Sequence, residues 1–274
     1  MKYILQSVLW LAFFTAQGQR IITAGSAITE TVCALGDCAK IVASDRTSLY
    51  PAEIQKLPSI GYRTGISAEG IISLKPTLLI VEADYVKPEV IEHIKSAGIK
   101  VVAIDRKFSW EGTQELIQKV AATLNKQEEG KKLIAKIERE LAEAKIIVSQ
   151  SNSTPRVLCV FNRDKSSLSI AGTNTFSEIL KYVGAVPAVT GVEGYKPLST
   201  ETLLNSRADF LLMFENGVEA LGGVDGVVAL PGVQHLPAGK KKQVLAFEGI
   251  RLSNFGPRLG EVVKELAIQL HKAK

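Results

Sequence analysis

Short β-branched and aliphatic runs alternate along this chain with stretches whose apolar residues recur at helical spacing. Residues 20–24 (RIITA), 40–44 (KIVAS), 77–81 (TLLIV) and 100–105 (KVVAID) read as buried strands, and TETVCALG, the segment from Ser67 and PEVIEHIKSAG read as the helices between them. From 109 to 149 the pattern becomes helical throughout. Leu116, Ile117, Val120 and Leu124, then Leu133, Ile134, Ile137, Leu141 and Ala144, form one apolar stripe that Gly130 is expected to interrupt, if anything does. After it the strand and helix order returns, with PRVLCVF at 155–161, TFSEILKYVGA, the segment 199–213, QVLAFEG and a terminal helix. Strands alternating with amphipathic helices predict α/β lobes with parallel-type sheets covered on both faces.

The two halves are related. SAEGIISLKPTLLIV at 67–81 is matched by STETLLNSRADFLLM at 199–213, with Ser67 and Ser199, Glu69 and Glu201, and Lys75 and Arg207 in register. The expected organisation is therefore a first lobe (19–108), a connecting helix (109–150) and a second lobe (151–274), with a ligand cleft between the lobes.

Composition refines this picture only slightly. Of 274 residues, 46% are hydrophobic and 22% charged, as in an ordinary globular protein. The net charge of +5 is spread along the chain and aromatics are only 6%, which argues against nucleic-acid binding. The first twenty residues carry Lys2, an apolar run from Val8 to Phe14 and the small-x-small pattern Ala16-Gln17-Gly18, the layout of a secretory signal peptide over 1–18. The run is shorter than the roughly 20 apolar residues that span a bilayer, and no cysteine follows it to carry a lipid anchor. A freely soluble, exported chain is expected. In it, Cys33 and Cys38 have two readings, a bridge closing CALGDC or two free thiols; Cys159, in VLCVF, reads as a small core residue. His93, His235 and His271 have no CxxC partner that would suggest zinc.

Loops at the carboxyl ends of parallel strands are where such sheets bind ligands. In the first lobe they carry Gly25-Ser26, residues 45–51, Tyr62-Arg63-Thr64, Tyr85 and Arg106-Lys107. In the second they carry Arg163-Asp164-Lys165, Phe214-Glu215, His235 and Ile250-Arg251. There is no GxSxG elbow, P-loop, HExxH or dinucleotide fingerprint, so the cleft reads as a binding site and not as an enzyme's. A tyrosine beside an arginine has one demanding use, to hold ferric iron through a phenolate that in water forms only near pH 10. Its plainer use is a loop aromatic packed on the lobe. Glu69 and Glu201 likewise sit in the first turn of a capped helix, where the macrodipole favours a carboxylate. Their recurrence in both lobes also suits docking on a two-fold partner.

RIITAGSAITE (20–30), LPSIGY with SAEGIISLKPTL (57–78), IAGTNT (170–175), LGGVDGVVALPGV (221–233) and FGPR (255–258) together resemble the haem-binding solute-binding proteins of bacterial ABC importers, within the wider vitamin B12 and siderophore class. The resemblance runs over the whole mature chain. It implies a monomeric bilobal protein that carries ferric haem (haem b) as cargo in its cleft to a two-fold inner-membrane permease. On its motifs the axial ligand falls on Tyr62, the permease contacts on Glu69 and Glu201, and contacts to the propionates or the phenolate on Arg63 and Arg163. Two departures stand out. The family's arginine two places after the tyrosine is Thr64 here, with Arg63 one place early, and the second-lobe histidine of some members is Arg163, leaving His235 as the candidate sixth ligand. A corrinoid or ferric siderophore is the alternative cargo; a tetrapyrrole-acting enzyme and an interaction protein are the readings from other classes.

Overall fold

The computed structural model describes residues 18–162 and 167–271; the signal peptide read over 1–18 and the Arg163-Asp164-Lys165 loop therefore lie, but for Gly18, outside the described residues. Two α/β lobes are present. In the first, β1 (Ile21–Ala24), α1 (Ser26–Ala34), β2 (Ile41–Ser44), α2 (Ala68–Ser73), β3 (Leu78–Glu82), α3 (Pro88–Ser96) and β4 (Lys100–Ile104) follow in order. Their strands form an all-parallel sheet ordered β2-β1-β3-β4. Strands β1 and β3 are wholly buried because helices cover both faces, which explains their unbroken apolar sequence.

The connector is not one helix. It is α4 (Trp110–Leu124) and α5 (Gln127–Ser149), separated where Asn125 turns left-handed at φ 57°. The break falls at Asn125 and not at Gly130, since an asparagine tolerates that conformation while Gly130 serves packing inside α5. A Cβ on Gly130 would lie 2.8 Å from the Ala121 Cβ, so the missing side chain lets α5 approach α4. Each helix belongs mainly to one lobe. Leu116, Val120, Ala121 and Leu124 of α4 complete the first core, and Ile137 and Ala144 of α5 pack into the second.

The second lobe contains β5 (Arg156–Asn162), β6 (Leu168–Ala171), β7 (Val186–Pro187), β8 (Tyr195–Pro197), α6 (Thr200–Ser206), β9 (Phe210–Phe214), α7 (Glu215–Ala220), α8 (Gly223–Val228), α9 (Pro237–Lys240), β10 (Val244–Phe247), α10 (Gly249–Ser253) and α11 (Leu259–His271). Its sheet is mixed, ordered β10-β9-β5-β6-β8, with β7 beside β5. Strands β10, β9 and β5 are parallel as expected, whereas β6 and β8 run antiparallel to their neighbours. Cys159 is buried in β5, and Cys33 and Cys38 are bridged, which settles the open reading of that pair.

The repeat is structural. Ser67 caps α2 by accepting from Gly70 N, and Ser199 caps α6 by accepting from Thr202 N. Both helices then end on a left-handed residue, Lys75 at φ 50° and Arg207 at φ 47°, before entering β3 and β9. Replacing Ser67 by alanine is expected to cost about 1 kcal/mol, read as a modest fall in midpoint on chemical denaturation, through loss of the cap alone.

Candidate functional site

The first-lobe site is assembled on one buried carboxylate. Asp45, just after β2, accepts from Gly25 N (3.0 Å) and Ser48 Oγ (2.6 Å) on one oxygen. Its other oxygen accepts from Thr47 N, Thr47 Oγ1 and the Tyr85 hydroxyl at 2.9, 2.5 and 2.5 Å. Three strand-end loops are thereby fixed to one another. Burial, and then Asp45 as acceptor, push the Tyr85 phenol well above its ordinary value, so this tyrosine stays protonated.

Tyr62 is the contrasting phenol. It is 41% exposed, and its ring meets Tyr85 edge to face at 6.0 Å. Arg63 Nε donates to the Tyr62 oxygen at 3.1 Å, and the same guanidinium lies 5.0 Å from the Tyr85 ring centre. Arg63 reaches back in this way because its backbone is left-handed at φ 44°, a conformation that costs a non-glycine residue about 1–2 kcal/mol. The arginine that seemed one place early is thus turned onto the phenol it adjoins. Arg46 flanks the ring from a different loop at 5.6 Å, its amide donating to Gly61 O at 2.9 Å. One guanidinium, Arg63, therefore reaches the oxygen of an exposed phenol and a second, Arg46, lies over its ring, and neither has a carboxylate partner among the described residues.

Arg106, after β4, joins the lobes. Its Nη1 faces both oxygens of Glu82 at 3.3 Å, while Nη2 donates to Ser253 O and Asn254 O of the second lobe at 2.8 and 3.1 Å. Burial raises the Glu82 carboxyl and Arg106 opposes that shift. A second link is Ser26 Oγ, which donates to Asn254 Oδ1 at 2.9 Å. On the facing side, Phe161 and Phe214 end β5 and β9, and the half-exposed Tyr195 of β8 packs on Phe161 at 5.1 Å between ring centres.

The structure thus groups Tyr62, Arg63, Tyr85 and Arg106 with the unforeseen Arg46, and adds Tyr195 on the opposite lobe. Arg46 stands in the 45–51 loop, but nothing in DRTSLYP distinguishes it before the loop is folded against Gly61. His235 is not part of the group. It lies exposed in a short turn (Val233–His235) before α9, and α9 is tied to the amino-terminal end of β9 by Ala238 N donating to Ala208 O at 3.0 Å. That is the end of the sheet away from the strand carboxyl termini, so the expectation of a sixth ligand at His235 is not met. Arg251 also turns away, pairing with Glu265 of α11 at 2.6 Å. Glu69 and Glu201 are exposed in the first turns of α2 and α6, with no ion-pair partner among the described residues.

The chain resembles solved structures over nearly its full length. The apo periplasmic heme-binding protein RhuT from Roseiflexus sp. RS-1 is 34% identical, with a TM-score of 0.87 over 93% of this chain and 98% of that one. BhuT, a periplasmic heme-binding protein solved in complex with two hemes, is 33% identical, with a TM-score of 0.86 over 92% and 97%. Among curated relatives, the Bacillus subtilis ABC transporter substrate-binding lipoprotein YvrC is 24% identical over 92% of this chain and 80% of its own length. The vitamin B12-binding protein of Vibrio campbellii is 25% identical over 73% and 72%. A periplasmic binding protein family model matches residues 21–248. This chain therefore belongs to the periplasmic binding protein family, made up of solute-binding proteins and not of enzymes.

Proposed function

We propose that this protein binds ferric haem between its lobes, with the Tyr62 phenolate as axial ligand, and delivers it in the periplasm to an inner-membrane ABC permease. The observation that carries the reading is the exposed Tyr62 phenol, whose oxygen accepts from Arg63 Nε at 3.1 Å and whose ring lies 5.6 Å from the Arg46 guanidinium. Such a site suits a metal that arrives already chelated. Among the described residues no group of three or more His, Cys, Asp or Glu side chains could hold a bare ion, whereas haem iron needs only axial donors from a protein. Arg63 and Arg46 then pair with the propionates, whose planar carboxylates match a guanidinium fork. Arg163, outside the described residues, remains a proposed contact from the second lobe.

Titration of the purified protein with hemin tests this: a saturable Soret shift is expected, and its absence overturns the reading. The alternative, a corrinoid or a ferric chelate, is favoured by the curated relatives named for vitamin B12 and for Fe(3+)-citrate. A thermal shift with cobalamin or ferric citrate that exceeds the one with hemin would favour it. Delivery is assigned to the exposed Glu69 and Glu201, one on each lobe. The Glu69→Ala, Glu201→Ala double variant is expected to bind hemin as the parent does but to lose most permease-dependent haem uptake; unchanged uptake would remove the docking role.

A further inference from the structure

The first lobe offers charge and a phenol, and the second offers rings. Phe161 and Phe214, at the carboxyl ends of β5 and β9, meet edge to face at 5.7 Å, and Phe176 backs Phe214 at 4.8 Å. Tyr195 lies outermost, 5.1 Å from Phe161, and remains 47% exposed although its neighbours are largely covered. Its position is fixed. Tyr195 is in register with Ala171, and the turn behind it is closed by Gly172 N to Gly194 O (2.8 Å) and Thr173 N to Val192 O (2.9 Å). Gly172 is required there, since a Cβ would fall 2.1 Å from Val192 O.

Partial burial raises the Tyr195 phenol above its ordinary value, and the charge of Arg106 opposes that shift. The phenol is neutral and has no hydrogen-bond partner among the described residues, so it has the properties of a stacking surface and not of a second anionic ligand.

We propose that Tyr195, backed by Phe161 and Phe214, is a stacking platform that recognises the flat conjugated face of a porphyrin independently of its iron. This rests on the haem reading and deepens it, because it supplies the discrimination that axial ligation alone does not. A corrin ring is puckered, largely saturated and flanked by axial groups, and a ferric hydroxycarboxylate has no ring face at all. A porphyrin is flat on both sides.

Metal-free protoporphyrin IX separates the two contributions, because it retains the ring and the propionates and has no metal to ligate. Its binding is read by porphyrin absorption and fluorescence, with circular dichroism as the check on folding. The parent is expected to bind it, Tyr195→Ala to bind it about tenfold or more weakly, and Tyr195→Phe to restore affinity. Tyr62→Phe is expected to bind it as the parent does. The platform is overturned if a folded Tyr195→Ala variant binds metal-free protoporphyrin as tightly as the parent, or if Tyr195→Ala weakens cobalamin binding to the same degree. If the parent binds protoporphyrin but not hemin, axial ligation by Tyr62 fails while the platform stands. If it binds neither, both fail.

Discussion

Tyr62→Phe is expected to weaken hemin binding on the order of a hundredfold, about 2.7 kcal/mol, and to abolish the phenolate-to-iron charge-transfer absorption while leaving the fold intact. The substitution removes a single oxygen. Tyr62 is 41% exposed and among the described residues its hydroxyl bonds only to Arg63 Nε, so no buried donor or acceptor is orphaned there and thermal stability should change little. The selectivity between the two neighbouring tyrosines is a second part of the same prediction. Tyr85→Phe removes a hydroxyl whose proton is committed to Asp45, and burial keeps that phenol protonated. It should therefore retain the charge-transfer band and lose stability through the broken hydrogen bond, by about 1–3 kcal/mol. A Tyr85→Phe variant that lost the band while Tyr62→Phe kept it would exchange the two assignments.

Arg258→Ala should be among the most destabilising single changes outside the cleft. Arg258, at the start of α11, donates in fork geometry to both oxygens of Glu30 on α1, at 2.8 and 2.6 Å, and lies 4.1 Å above the Tyr50 ring. Glu30 is buried in the first lobe, so the pair binds the two lobes through a charge that has no access to water. Removing one member of such a pair typically costs about 3–5 kcal/mol, because the other charge is left uncompensated. Burial raises the Glu30 carboxyl even with Arg258 present, so between the ordinary glutamate value and that raised value the native state holds more protons than the unfolded state. Stability therefore falls as pH rises through that window. Without Arg258 the carboxyl rises further, making the deficit of the variant greatest near neutral pH and smaller as the solution is acidified through the raised value. Adding Glu30→Gln should recover part of the loss. A deficit below about 1 kcal/mol, the size expected of an exposed pair, or one that does not vary with pH, would contradict the account.

The sequence made some of this legible because its signals were local. Ser67 and Ser199 announce the two capped helices, and the left-handed turns at Lys75 and Arg207 keep the repeat in register into β3 and β9. Where meaning depended on the folded partner, the same reading failed. Gly130 resembled a helix breaker, yet its lack of a side chain serves the contact with Ala121, and the chain turns at Asn125 instead. The three-residue β8 and four-residue β6 are too short to declare a direction, so the antiparallel half of the second sheet was invisible. His235 was read as part of a loop at the carboxyl end of a strand, but α9, which follows it directly, is tied to the amino-terminal end of β9.

The same distinction runs through the site. Tyr62 and Arg63 could be read from adjacent positions, and the misplacement of Arg63 by one residue is compensated by a backbone angle that no residue pattern displays. Arg46 and Tyr195 join the site only through loop closure and strand pairing, by way of Gly61 O and Ala171 respectively. Tyr195 lies in the segment VEGYKP, just after Gly191 and Gly194, where composition suggests a loop and nothing more.

Resonance Raman spectroscopy of the hemin-loaded protein, excited within the charge-transfer absorption, bears most directly on the central claim. Enhanced phenolate ring modes are expected in the parent, retained in Tyr85→Phe and Tyr195→Phe and absent in Tyr62→Phe. A loaded protein without phenolate modes, or modes that survive in Tyr62→Phe, would contradict the assignment of Tyr62 as the ligand to iron.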